Sequence, residues 1–179
     1  DVHSSNQKLA GLKSRNQAKT FIYALIYGAG DEKLGTIVQG SRKQGKQLRE
    51  SFINNNPAFK TLRDRVERAS ARGYLKGLDG RKIFIRHKHS ALNTLLQGAG
   101  AIVMKKALVI LSDMLELQTI PAKIVANIHD EWQIEVPESH ANGVGALAVR
   151  CIEQASREYN LRCPLTGEFN IGDSWYETH

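Results

Sequence analysis

Between residues 15 and 27, apolar side chains fall at Ala18, Phe21, Ile22, Leu25 and Ile26, and cationic or tyrosyl ones at Arg15, Lys19, Tyr23 and Tyr27. Steps of three and four residues of this kind predict a two-sided helix. Ser14 supplies an N-cap, and Gly28 followed by Gly30 a stop. Each four-residue step overshoots one turn by about 40°, so Arg15, Lys19, Tyr23 and Tyr27 make one slowly winding stripe opposite the apolar face.

The remaining pattern alternates helices with two short hairpins. The first twelve residues predict a short helix ending near Gly11, and residues 31–40 a Gly-punctuated connector with a helical turn. Ser41 caps a helix through about Ile53 with Leu48 and Phe52 as its apolar pair. Asn54-Asn55-Asn56-Pro57 breaks the chain. Asn56 as N-cap and Pro57 in the first helical position then restart a helix through about Ala71. Its buried face is Phe59, Leu62, Val66 and Ala69, with Lys60, Arg63, Arg65, Arg68 and Arg72 outward. After Gly73, residues 74–78 and 82–86 flank Asp79-Gly80, a strong hairpin signal. Ser90 to about Leu117 is the longest helical stretch. Val103, Ala107, Ile110, Met114 and Leu117 make its second half a core helix, and Gly98 and Gly100 either weaken the helix locally or allow a close backbone approach. Beyond Pro121, residues 122–128 and 131–136 alternate as two strands around a tight His129-Asp130 turn. A helix from about Glu138 to Tyr159 follows, with Val144, Leu147, Ala148, Cys151, Ile152 and Ala155 on one face. The last segment, 165–179, is expected to dock Trp175 and Tyr176 against the body.

A chain of 179 residues, 41% hydrophobic and 24% charged, has the composition of a soluble globular protein of one domain, or a domain with an appendage. No apolar run approaches the ~18 residues of a membrane span, so no membrane partner is expected. No signal peptide is visible, and the start at Asp1 rather than Met reads as a piece of something longer. Cys151 and Cys163 lack zinc-ligand spacing and read as buried free thiols of a reducing cytosol. The net charge of +7 is unevenly spread: residues 42–88 carry +10 and residues 111–179 carry −7. A basic middle and an acidic end suit a protein that holds a polyanion with one part and metal ions with another.

The same division appears in the candidate chemistry. Cations near the start of the 15–27 helix suit phosphates, and the tyrosines further along suit a sugar or a base. His129-Asp130-Glu131 puts two adjacent carboxylates at the apex of a hairpin, where a divalent cation can reach them; phosphoryl transfer by paired metals needs ions about 4 Å apart.

Arg15, Lys19, Tyr23 and Tyr27-Gly28 at this spacing resemble motif B, the fingers helix of family A DNA polymerases. His129-Asp130-Glu131 between apolar strands resembles motif C of the same family, and Ser90–Gly98 its primer-end segment with Asn93 and Gln97. Asp1-Val2-His3 is similar to the tripeptide that follows motif A, and Gly172-Asp173-Ser174-Trp175 to a Gly-x-x-Trp near the family's C-terminus. The resemblance covers nearly the whole chain and is strongest toward the phage replicative branch.

The resemblance implies an α+β fold, with a helical fingers portion at 1–88 (motif B helix at about 15–28) and a palm portion at 89–179 (motif C hairpin at about 122–136) forming part of an antiparallel sheet of a right-hand polymerase. It implies a DNA-templated DNA polymerase that joins a deoxynucleoside triphosphate to a primer 3′-hydroxyl and releases pyrophosphate. Asp130, Glu131 and Lys19 would be catalytic, with Asp130 the metal ligand. His3, Arg15, Lys19 and Tyr23 would bind the triphosphate. Tyr27, Gly28, Asn93, Gln97 and His129 would meet the DNA. Mg²⁺ is the implied cofactor in a two-metal site, with the second aspartate upstream of Asp1, so the isolated chain is expected to be inactive. Implied partners are primer-template DNA, nucleotides and the N-terminal remainder, in the cytoplasm of a bacterial or phage-infected cell. Two other readings are a fragment of a single-subunit RNA polymerase and a non-catalytic nucleic-acid-binding module.

Overall fold

A computed structural model describes residues 2–179, with the backbone alone for Val2; of Asp1-Val2-His3, Asp1 lies outside the described residues. The chain forms two compact units, divided between Gln97 and Gly98.

The first unit holds helices α1 (Val2–Ala10), α2 (Arg15–Ile26), α3 (Asp31–Ile37), α4 (Arg42–Asn54) and α5 (Pro57–Ser70). The hairpin β1 (Tyr74–Lys76)–β2 (Lys82–Phe84) and the start of α6 (Ala91–Leu117) complete it. Ser14 caps α2, its hydroxyl accepting from the Gln17 N–H at 3.2 Å. The other end closes in a Schellman turn: Ala29 N–H reaches the Ala24 carbonyl at 2.9 Å and Gly28 N–H the Leu25 carbonyl at 3.1 Å. Gly28 sits at φ 78°, and a Cβ there would fall 2.2 Å from the His89 carbonyl oxygen, so turn and close approach both require glycine.

The buried face of α2 (Ala18, Phe21, Leu25) packs with Leu34 and Phe52 into one core cluster. Phe21 meets Phe52 edge-on at 5.5 Å, and Phe52 meets Phe59 at 5.6 Å. Residues 31–40 do more than connect. Asp31–Ile37 is a seven-residue helix, packed closely because Gly45 of α4 lies against the Asp31 carbonyl and Gly35 against that of Ser41. Arg49 clamps the pair through Asp31 at 3.1 Å. A second cluster joins Val66, Leu75, Ala91 and Leu92. Leu62, expected inside with Val66, is 38% exposed, the correction for α5. The hairpin strands are shorter than expected because Gly77 to Gly80 form the turn, Gly77 N–H bonding to the Arg81 carbonyl at 2.9 Å.

The second unit holds the rest of α6, the hairpin β3 (Lys123–Ile128)–β4 (Glu131–Glu135), α7 (Glu138–Glu158) and α8 (Trp175–Thr178). The two strands are antiparallel, and the register slips at Val125, a bulge between Ile124 and Ala126. One face, with Ile124, Trp132 and Ile134, lies on a core of Val103, Ala107, Leu111, Leu115, Val144, Leu147, Cys151 and Ala155. The periodicity puts Leu117 on this seam, yet it is 77% exposed; it closes the last turn at the edge of the stripe, and Leu111 and Leu115 take the buried positions. Tyr176, expected against the body, is 93% exposed. By length and composition alone, Lys88–Leu117 could cross a membrane. Part of its apolar side, from Ala91 and Leu92 to Leu111 and Leu115, contributes to the two cores just described.

Glycine substitutions test this packing. Gly45→Ala would place a Cβ 1.9 Å from the Asp31 carbonyl oxygen. Urea unfolding should show a loss of about 1–3 kcal/mol, as for other overpacked sites. Gly100→Ala, with nothing within 4 Å of the new Cβ, should gain roughly 0.5–1 kcal/mol from helix propensity.

Candidate active site

Arg15, Lys19, Tyr23 and Tyr27 all stand exposed along one side of α2, the tyrosines 50% and 54%. The stripe faces outward because Ala18 and Phe21 opposite it are fully buried. Among the described residues Lys19 has no carboxylate within ion-pair range, which leaves its ammonium available to an anion. The His3 ring lies 6.3 Å from that of Tyr23, joining α1 to the stripe. Tyr27 accepts a long hydrogen bond from Gln97 Nε2 at 3.5 Å, so α6 reaches the other end of it. One surface of the first unit therefore brings together His3, Tyr23, Tyr27 and Gln97. Asn93 lies one turn before Gln97; its Oδ1 is buried and accepts no hydrogen bond among the described residues.

In the second unit, His129 and Asp130 form the two-residue turn and both are exposed. His129 holds φ 54°, a left-handed conformation that costs a non-glycine residue on the order of 1 kcal/mol. Glu131 differs from Asp130 in how fully it is engaged. One carboxylate oxygen accepts from Gln133 Nε2 and from the Trp175 indole N–H at 3.0 Å; the other lies 2.9 Å from His179 Nδ1. Thr178 extends the clasp by donating to Gln133 Oε1 at 3.3 Å. These bonds hold the Glu131 carboxyl below the usual carboxylate range, the Gln133 bond contributing most, then that of His179. A recess of about 850 Å³ opens beside the turn, lined in part by Asp130, Glu131, Phe169 and Trp175. Phe169 lies so close to Gly145 of α7 that any side chain there would collide with its ring.

Among the described residues no group of three or more His, Cys, Asp or Glu gathers to hold a metal. Glu131 is committed to Gln133, Trp175 and His179, so Asp130 is the carboxylate of this turn that remains open to a cation. One carboxylate suits Mg²⁺, which keeps several waters and takes substrate phosphates and one or two carboxylates as its other ligands. Cys151 is buried, as expected, which pushes its thiol pKa up; Cys163, also expected inside, is exposed. The sequence pattern did not single out Gln133 and His179 as neighbours of Glu131, nor the His89 carbonyl as the neighbour of Gly28. A terminal histidine carries no periodic signal, and a carbonyl contact carries none at all.

The fold matches part of a solved polymerase domain. It matches the solved "POL domain of Pol1 from M. smegmatis complex with DNA primer-template and dNTP" at a TM-score of 0.77 and 20% identity, over 87% of this chain and 31% of that one. The chain belongs to DNA polymerase family A, whose profile matches residues 1–177. Among its relatives, a DNA-directed DNA polymerase of Escherichia phage Phieco32 is 44% identical over the whole chain, which spans 30% of that protein. The DNA-directed DNA polymerase of Escherichia phage T7 is 36% identical over the whole chain and 29% of its own length. DNA polymerase I of Geobacillus stearothermophilus is 26% identical over 99% of the chain and 21% of its own. The chain thus spans less than a third of these relatives.

The clasp on Glu131 makes a pH prediction. A carboxylate held below its ordinary value stabilises the docked form above that ordinary value, about 4.3 for Glu. The stabilisation is lost as pH falls through the lowered one. Trp175 emission should shift on acidification below about pH 4, and Glu131→Gln should abolish that shift. An unchanged shift in Glu131→Gln would assign it to another group.

Proposed function

We propose that this chain is the fingers portion (1–88) and second palm portion (89–179) of a DNA-templated DNA polymerase. In this reading it adds deoxynucleotides to a primer 3′-hydroxyl by attack on the α-phosphate, with release of pyrophosphate. The observation that carries the reading is the exposed stripe Arg15–Lys19–Tyr23–Tyr27 on a helix locked from behind by Phe21. It has the right groups in the right order: cations for phosphates, then rings for sugar and base.

Arg15 and Lys19 hold the β- and γ-phosphates, and Lys19 is the proton donor to the leaving pyrophosphate. His3 adds a phosphate contact beside Tyr23, which packs on the incoming sugar. Tyr27 and Gly28 lie against the nascent pair, and Asn93, Gln97 and His129 against the primer end. Asp130 is this chain's ligand for Mg²⁺, which when bound neutralises charge on the transferring phosphate. Glu131 does not compete for that role; clasped by Gln133, Trp175 and His179, it holds the turn that carries Asp130. The second metal-binding aspartate, and with it full activity, comes from an N-terminal remainder. Closure of α2 over a correct pair would couple selection to chemistry. Work of this kind lies in the cytoplasm of a bacterial or phage-infected cell.

The test is reconstitution with the upstream portion, Mg²⁺ and a primed template. Deoxynucleotide extension is expected, and Asp130→Asn should reduce it by about three orders of magnitude, the several kcal/mol that metal-ion charge stabilisation supplies. Primer-template affinity should stay nearly unchanged. Near-normal turnover in Asp130→Asn would remove Asp130 from the site, and extension with ribonucleotides only would point to an RNA polymerase.

A second expectation concerns Tyr23. Its hydroxyl can stand in for the sugar 3′-hydroxyl that a dideoxynucleotide lacks, so dideoxynucleotides should be incorporated readily. Tyr23→Phe should discriminate against them in steady-state competition. Strong discrimination with Tyr23 in place would contradict the assignment.

A further inference from the structure

The β1–β2 hairpin has two faces of opposite character. Leu75 and Ile83 point inward and pack with Val66, Ala91 and Leu92. The other face is set by register: Tyr74 pairs with Phe84, and Lys76 with Lys82. Alternation puts all four side chains outward. Phe84 is 75% exposed, an unusual position for a phenylalanine on a strand. Lys82 Nζ lies 4.9 Å from the Tyr74 ring centre, and the Arg72 guanidinium 5.7 Å from it. Arg86 and Lys88 follow directly in the chain. Among the described residues, none of Arg72, Lys76, Lys82 and Arg86 has a carboxylate within ion-pair range; Asp79 at the turn is engaged by Arg81. The segment from 42 to 88 that contains the hairpin carries a net +10.

We propose that this outer face is a platform for single-stranded nucleic acid, with bases stacking on Phe84 and Tyr74 and phosphates meeting Lys76, Lys82 and Arg72. Stacking rings interleaved with cations are what sequence-tolerant single-strand binding requires, because every base offers a π-face and every nucleotide a phosphate. An acidic peptide would satisfy the lysines but gives no reason for two rings on the same face. Under the polymerase reading, the strand is the unpaired template; that identity rests on the reading, whereas affinity for single strands does not.

The test is fluorescence anisotropy of the 179-residue chain with labelled oligo(dT) and with a duplex of equal length. Phe84 is exposed, so its replacement leaves the core intact. Phe84→Ala and Phe84→Leu should each weaken oligo(dT) binding about tenfold, the weight of one stacked base, with duplex binding unchanged. Lys82→Ala should lower the slope of log affinity against log salt by about 0.7 for the single strand. Phe84→Trp should retain affinity, and oligo(dT) should quench its emission where duplex does not. The proposal is overturned by wild-type oligo(dT) affinity in Phe84→Ala, by equal losses for single strand and duplex, or by tighter binding of an oligoglutamate peptide independent of Phe84. The assay needs no turnover: failed extension with intact Phe84-dependent binding sinks the polymerase reading alone, and the converse sinks only the platform.

Discussion

The edge-to-face packing of Phe21 on Phe52, continued to Phe59, governs what the first unit can do. It fixes the rotation of α2 about its own axis. Once Ala18 and Phe21 are fully buried, helical geometry leaves Arg15, Lys19, Tyr23 and Tyr27 no position except the outward stripe. The helix is held at both ends as well, by the Ser14 cap and by Gly28 seated against the His89 carbonyl. A rigid, cation-bearing rod of this kind is preorganised for an anion, because little conformational freedom remains to be given up when one binds.

The second unit solves a different problem. On the proposed reading, a two-residue turn must expose a carboxylate without letting it wander. The left-handed φ of His129 and the bulge at Val125 shape the hairpin, and the Trp175–His179 segment clasps Glu131 from outside the sheet. Adjacent acids so acquire different environments. Glu131 is engaged by Gln133, Trp175 and His179 and its carboxyl is held below the usual carboxylate range, while Asp130 stands exposed. Placing both carboxylates without such donors would cost repulsion at the apex. A carboxylate fixed by hydrogen bonds is the kind of support that holds a neighbouring ligand in place.

Much of this is legible in the residues, and the exceptions have physical causes. The limits of α2, α4 and α5 follow from Ser14, Ser41 and Asn56-Pro57, because capping is local chemistry. The two hairpins follow from Asp79-Gly80 and His129-Asp130 between alternating strands. Helix α3 is legible only as a helical turn within a connector, because Gly35 reads as a breaker when it admits the Ser41 carbonyl. Leu62, Leu117 and Tyr176 are expected inside and stand exposed; periodicity gives a face but not what covers its edge. The stripe on α2 is readable because four residues of one helix carry it. Its neighbours His3 and Gln97, and the grip of Trp175 and His179 on Glu131, join positions far apart in the chain. The Tyr27–Gln97 bond spans 70 residues and the Trp175–Glu131 bond 44. For the same residues the resemblance to family A suggests roles, yet it does not suggest the clasp.

On the proposed reading, the cationic stripe holds the triphosphate and Asp130 holds Mg²⁺. The decisive measurement is a crystal structure of the chain completed by its upstream portion, with primer-template, Mg²⁺ and a non-hydrolysable deoxynucleotide. Lys19 Nζ is expected within hydrogen-bonding range, about 3 Å, of a β- or γ-phosphate oxygen. An Asp130 oxygen is expected about 2.1 Å from a Mg²⁺ that touches the same nucleotide. A nucleotide bound away from α2, or a metal held without Asp130, would refute the reading.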